Sequence, residues 1–121
     1  MQLEKIRVGI VGAGNISDQY LSNLTTFPDF DLIFVADLDR ERAASQAKKW
    51  GVPASGSLDE LLANDQIQLV INLTIPAAHV PVSLAALNAG KHVWSEKPMA
   101  LDRSGATQLL EAAKKNGVRL G

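Results

Sequence analysis

Short β-rich apolar runs alternate with stretches of helical periodicity from one end of this chain to the other, and that alternation restricts the fold more than any other feature. Ile6 to Val11 is an apolar run closed by glycines, the pattern of a strand buried on both faces. From Asn15 onward Ile16, Tyr20 and Leu24 recur at helical spacing until Pro28. Leu32 to Ala36 is a second strand, and Arg40 to Trp50 a helix with Gly51 at its C-terminal cap. Ala54-Ser55 predicts a brief third strand, and Ser57 with Glu60 a capping box for a helix over Leu58 to Ala63. Leu69 to Leu73 is the most apolar strand and precedes a helix over Val80 to Asn88 that stops at Gly90. His92 to Trp94 is a fifth strand, Ser104 to Lys115 a helix ended by Gly117, and Val118 to Leu120 the opening of a sixth strand. Strands and helices in this rhythm predict βαβ crossovers, hence an α/β fold with a doubly wound parallel sheet and helices on both faces.

With 121 residues the chain is one domain, and 46% hydrophobic against 21% charged residues is globular rather than disordered composition. The net charge of −1 gives no reason to expect nucleic acid or an anionic membrane surface as partner. No run reaches the roughly 18 apolar residues of a membrane span. Met1 to Lys5 lacks the layout of a signal peptide. Without cysteine, thiol catalysis, disulfides and thiolate metal sites are excluded, and no metal site is expected. A cytoplasmic location is the expectation. There is no internal repeat or linker, and an ending within or just past a strand reads as a piece of a longer protein.

Gly12-Ala13-Gly14-Asn15-Ile16-Ser17 directly follows the first strand and opens the first helix, the context in which a G-x-G-x-x-G turn acquires meaning. Gly12 permits the tight turn, and Gly14 lets a diphosphate meet the backbone without a Cβ in the way. The N–H groups around Asn15 and Ile16 then face the anion. Ser17 takes the place of the third glycine, which predicts a slightly wider helix–strand approach. Such turns also serve FAD and S-adenosylmethionine. Asp37, at the end of the second strand, adds a carboxylate where adenosine ribose hydroxyls are bound and where a 2′-phosphate is repelled, favouring NAD over NADP. Arg40 and Arg42 blur that preference. The alternative for Asp37 and Asp39 is to cap the following helix, which suits Asp39 better.

In an open α/β sheet, ligands bind beyond the carboxyl ends of the strands at the switch point, here between the first and fourth strands. Thr74-Ile75-Pro76 should therefore wall a cleft, with His79 either lining it or serving as an ordinary residue of the helix start. Ser95-Glu96-Lys97-Pro98 follows the fifth strand, and a Glu-Lys pair at such a tip suits proton chemistry. The alternative for Lys97 is a solvated lysine at a strand end. His92 is read as structural, and Trp50 and Trp94 as packed under helices.

Gly12-Ala13-Gly14-Asn15-Ile16, then Ala36-Asp37, Thr74-Ile75-Pro76-Ala77-Ala78-His79, Ala89-Gly90-Lys91-His92-Val93 and Glu96-Lys97-Pro98 together resemble the glucose–fructose oxidoreductase, inositol dehydrogenase and rhizopine catabolism (Gfo/Idh/MocA) family over essentially the whole chain. The resemblance implies a Rossmann-type domain that holds a nicotinamide cofactor, followed in the complete protein by a substrate domain and commonly a homo-oligomer. It implies oxidation or reduction of sugars, inositols and related polyols. By that likeness Lys97 is the catalytic lysine, and Glu96 binds the nicotinamide ribose. Thr74, Ile75, Pro76 and His79 line the dinucleotide, as does Leu38 beside Asp37, and the Lys97-Pro98 bond is expected cis. The competing reading is a dinucleotide-sensing module without catalysis, against which an intact Glu-Lys-Pro argues. A third is an assembly subunit that docks a partner at its sheet edge.

Overall fold

A computed structural model describes residues 5–14, 16–98 and 100–121. Five parallel strands form one sheet in the order β3-β2-β1-β4-β5: β1 Ile6–Val11, β2 Phe30–Ala36, β3 Ala54–Gly56, β4 Leu69–Asn72 and β5 His92–Ser95. The helices between and after them are α1 Ser17–Leu24, α2 Arg40–Trp50, α3 Leu58–Leu62, α4 Pro76–Asn88 and α5 Arg103–Asn116. The first three strands are laid down in one direction, and β4 then returns to the free side of β1. That reversal is the switch point of a doubly wound sheet.

Both faces are packed, as the apolar strands require. On one side Val8, Ile10 and Val35 meet Leu21 and Leu24 of α1 and Ala43 and Ala47 of α2. On the other, Val70 and Val93 meet Leu61 of α3, Ala86 and Leu87 of α4 and Leu109 of α5. The helix ends follow local chemistry. The Asp39 side chain caps α2, Ser57 and Glu60 form a reciprocal capping box on α3, and Gly51 and Gly117 close α2 and α5 in left-handed conformation.

Three expectations are corrected. The buried stripe of α1 is Ser17, Leu21 and Leu24, whereas Ile16 precedes the helix and is exposed. One residue of phase moves the stripe because the turn consumes Ile16. Helix α4 begins at Pro76, four residues before Val80: proline suits the first helical position, and the helix continues through Pro81. Trp94 does not lie under a helix. It is 41% exposed on the α1 side of β5, beside Tyr20 of α1, whereas its register partner Ile71 on β4 is buried in the core. A groove of about 800 Å³ runs along that side, lined by Tyr20, Phe27, Phe30, Ile71, Trp94 and Leu120. Trp50, by contrast, packs against the core beneath α1 and donates its indole N–H to Asp18 at 3.0 Å. The expected sixth strand is a single parallel bridge, Leu120 to Val93.

Candidate active site

Register sets the site. Gly56, Ala36, Val11, Asn72 and Ser95 pair in one row across all five strands. The residues one step further on, Asp37, Gly12, Leu73 and Glu96, therefore leave the sheet side by side at its carboxyl edge. At about 4.8 Å per strand the row from Asp37 to Glu96 spans about 14 Å.

At the β1 tip Gly12 takes φ +104°, and a Cβ there would lie 2.8 Å from the Leu73 carbonyl group, so the turn passes hard against the β4 tip. A Cβ on Gly14 would meet nothing within 4 Å, which leaves the backbone open to the cleft at the point where a diphosphate would approach. Asn15 lies outside the described residues, and Ile16 brings no side-chain cap to the N–H groups that begin α1. Ser17, buried in the third-glycine position, donates its hydroxyl to the Gly14 carbonyl at 2.6 Å and accepts from Gln46 at 2.9 Å. The hydroxyl thus binds the turn to α2. Asp18 takes hydrogen bonds from Gln46, Trp50 and Lys49, with Gln46 the largest influence holding its carboxyl below the usual range.

Asp37 is more than a solvated acid. Its side chain is 8% exposed. One oxygen accepts from the Ala13 N–H at 3.1 Å, while the other accepts from the Asp39 N–H at 3.1 Å and pairs with Arg42 at 2.8 Å. Capping of α2 falls to Asp39 alone. Arg40 pairs with Glu60 at 2.6 Å. Both arginines that blurred the cofactor preference are thus engaged with carboxylates. Between Asp37 and the β4 tip lies a cleft of about 600 Å³ lined by Gly12, Gly14, Asp37, Leu38, Thr74 and Ile75. Leu38 and Ile75 are exposed apolar side chains that flank it. Pro76 stands exposed at the α4 start beside it.

The β5 tip completes the row. Glu96 donates its backbone N–H to the Asn72 carbonyl at 3.0 Å, and its side chain accepts the Tyr20 hydroxyl from α1. Burial first, then the Glu96 hydrogen bond and charge, pushes the Tyr20 phenol well above its ordinary 10.0. Lys97 is exposed, and the Lys97-Pro98 bond is cis.

His79 is not on the cleft wall. It is 1% exposed, with Nε2 2.6 Å from the Thr74 carbonyl and Nδ1 2.5 Å from the Pro98 carbonyl. Beneath it Asn72 donates to the His79 carbonyl and the Ser83 hydroxyl, and accepts from the Thr74 N–H and hydroxyl. The sequence reading named neither Asn72 nor Tyr20 as a site residue. A usable signal existed for Asn72 alone: an amide at the end of an apolar strand must find several partners.

A glycine turn at the first strand tip, an anchored acid at the second, and a cleft at the switch point define a dinucleotide-binding α/β domain. The chain belongs to the oxidoreductase family with NAD-binding Rossmann fold, Gfo/Idh/MocA, whose model matches residues 6–121. It is 33% identical over 118 residues to inositol 2-dehydrogenase of Salmonella paratyphi B, covering 95% of this chain and 35% of that protein. Among solved structures it is similar to GenD2 from gentamicin A biosynthesis in complex with NAD, with TM-score 0.92 and 34% identity over 98% of this chain and 34% of that one. The 3-ketoreductase KijD10 of Actinomadura kijaniata, solved with TDP-benzene and NADP, is also similar. Its TM-score is 0.92 at 30% identity, over 97% of this chain and 37% of that one. The chain spans about a third of the length of these relatives.

Proposed function

We propose that the complete protein carrying this chain is a cytoplasmic NAD-dependent dehydrogenase acting on a CH–OH group of an inositol, sugar or related polyol. In this reading residues 1–121 are its dinucleotide-binding domain, and a further domain of the complete protein holds most of the substrate and serves homo-oligomer contacts. The observation that carries the reading is the register row, which sets an acid, a glycine turn and a Glu-Lys pair in line along one sheet edge. The described residues fit the cofactor, since the Cβ-free opening at Gly14 faces the cleft and an anchored carboxylate stands at its far end.

The diphosphate is held where Gly14 leaves the backbone open and the N–H groups that begin α1 lack a side-chain cap, since the Gly12 and Ala13 N–H groups already bond Ala36 and Asp37. Asp37 accepts from the adenosine ribose, and Leu38 and Ile75 flank the adenosine. Thr74 and Pro76 line the middle of the cleft, and Glu96 accepts from the nicotinamide ribose. When bound, the nicotinamide supplies the hydride chemistry. Lys97 hydrogen-bonds the reacting hydroxyl and moves its proton as the carbonyl forms. NAD is favoured over NADP because the Asp37 carboxylate is fixed in place and Arg40 and Arg42 are already paired.

The test is calorimetric titration of the complete protein with NAD⁺ and NADP⁺, followed by turnover with inositol as probe. NAD⁺ binds more tightly, and Lys97→Ala keeps NAD⁺ affinity while lowering turnover about 10²- to 10⁴-fold. Binding of neither dinucleotide, or unchanged turnover in Lys97→Ala, overturns the reading.

A further inference from the structure

His79 joins two segments that the catalytic arrangement needs at a set separation. Thr74 belongs to the cleft wall after β4, and Pro98 follows Lys97 after β5. The carbonyl oxygens of both face the two nitrogens of one buried imidazole, at 2.6 and 2.5 Å. Carbonyl oxygens only accept, so the bridge draws on ring N–H groups, both of them when the ring is doubly protonated.

The backbone that carries the ring is itself fixed from below. Asn72 holds the His79 carbonyl at 3.0 Å and Ser83 at 2.9 Å. Through its other polar atoms Asn72 also holds Thr74 and the Glu96 N–H. The segment Glu96-Lys97-Pro98 is thereby tied on both sides of the lysine. Glu96 is held by Asn72 and Tyr20, and Pro98 by His79. Lys97 between them is exposed.

We infer that His79 is a positioning residue: its ring sets the separation between the cofactor wall at Thr74 and the backbone of Lys97. The inference rests on the proposed role of Lys97 for its catalytic consequence, but the tie itself does not depend on that role. A displacement of about 1 Å in a reacting group costs on the order of 10²-fold in rate, so a loosened tie should be read in turnover far more than in cofactor affinity.

The test uses the complete protein with His79→Phe, which keeps a ring but removes both nitrogens, and His79→Gln, which keeps one polar reach. Three quantities are measured: the ¹⁵N order parameter of the Lys97 amide, the NAD⁺ dissociation constant, and turnover with inositol. In His79→Phe the order parameter falls from the rigid range near 0.85 towards 0.6. Turnover drops about 10²-fold, NAD⁺ affinity stays within about threefold, and His79→Gln lies between. An unchanged order parameter overturns the tie. A lowered order parameter with full turnover, in a protein that Lys97→Ala inactivates, overturns the positioning role. If Lys97→Ala is itself active, the proposed function fails while the order parameter still decides the tie. Should His79→Phe not fold, His79→Gln and the wild-type ring decide: ring N–H signals protected from exchange support the bridge, and rapidly exchanging ones overturn it.

Discussion

The two ends of the register row are built by different means. At the β1–β2 end the work falls to the main chain. Gly12 turns against the Leu73 carbonyl, Gly14 leaves its surroundings empty, and the Ala13 N–H is pinned by Asp37. At the β4–β5 end side chains from four elements converge: Asn72 from β4, His79 and Ser83 from α4, Tyr20 from α1 and Glu96 beyond β5. A turn made of backbone tolerates little variation in conformation but asks little of distant residues. A buried polar network is the reverse, since each member depends on partners far away in the chain, and a partly satisfied network costs more than an apolar one. Among the described residues no buried side-chain nitrogen or oxygen lacks a partner, so the network is complete.

The largest expected effect breaks the main-chain end. Gly12→Ala places a Cβ 2.8 Å from backbone atoms of Leu73 at a φ of +104°, and should cost on the order of 3 kcal/mol or more in a urea melt. A melt matching wild type would mean that the turn has room to retreat from the β4 tip. Next comes the network's hub. Asn72→Leu keeps the volume but orphans the buried Ser83 hydroxyl and the Thr74 donors, and should cost about 2 kcal/mol. No loss there would show the hub to be dispensable and the contrast between the two ends overdrawn.

Smallest is Tyr20→Phe, which removes one hydrogen bond to Glu96, about 1 kcal/mol below pH 10. The pH dependence sharpens this. The folded-state phenol is raised above its ordinary 10.0, so above that pH the folded protein retains a proton that the unfolded chain releases. Stabilisation present below pH 10 is therefore lost as the pH climbs towards the raised folded value. Urea melts from pH 9 upward should show a steeper decline for wild type than for Tyr20→Phe, and parallel curves would remove Tyr20 from the network.

The same contrast governs what could be read from the residues. The glycine turn, the acid after β2, the capping box on α3 and the left-handed glycines after α2 and α5 are local signals, and each lies where its spacing placed it. The boundaries that shifted were governed by neighbours. Ile16 was drawn into a helical period although the turn consumes it, and Pro76 and Pro81 hid four residues of α4 whose first turn needs few N–H donors. His79 could be placed near the cleft but not behind it. Its burial arises from Pro98, 19 residues away, and no periodicity encodes that meeting. A large aromatic in a strand predicts a helix above it, whereas strand alternation turns Trp94 into the groove beside β5.

That placement makes the molecule its own fluorescent gauge. Trp50 is half-buried with its indole N–H held by Asp18, while Trp94 stands in the groove at 5.5 Å from the Tyr20 ring. Emission from the two should separate, a bluer steady component from Trp50 and a redder, quenchable one from Trp94. Anything laid along the groove beside β5 would move the second and spare the first.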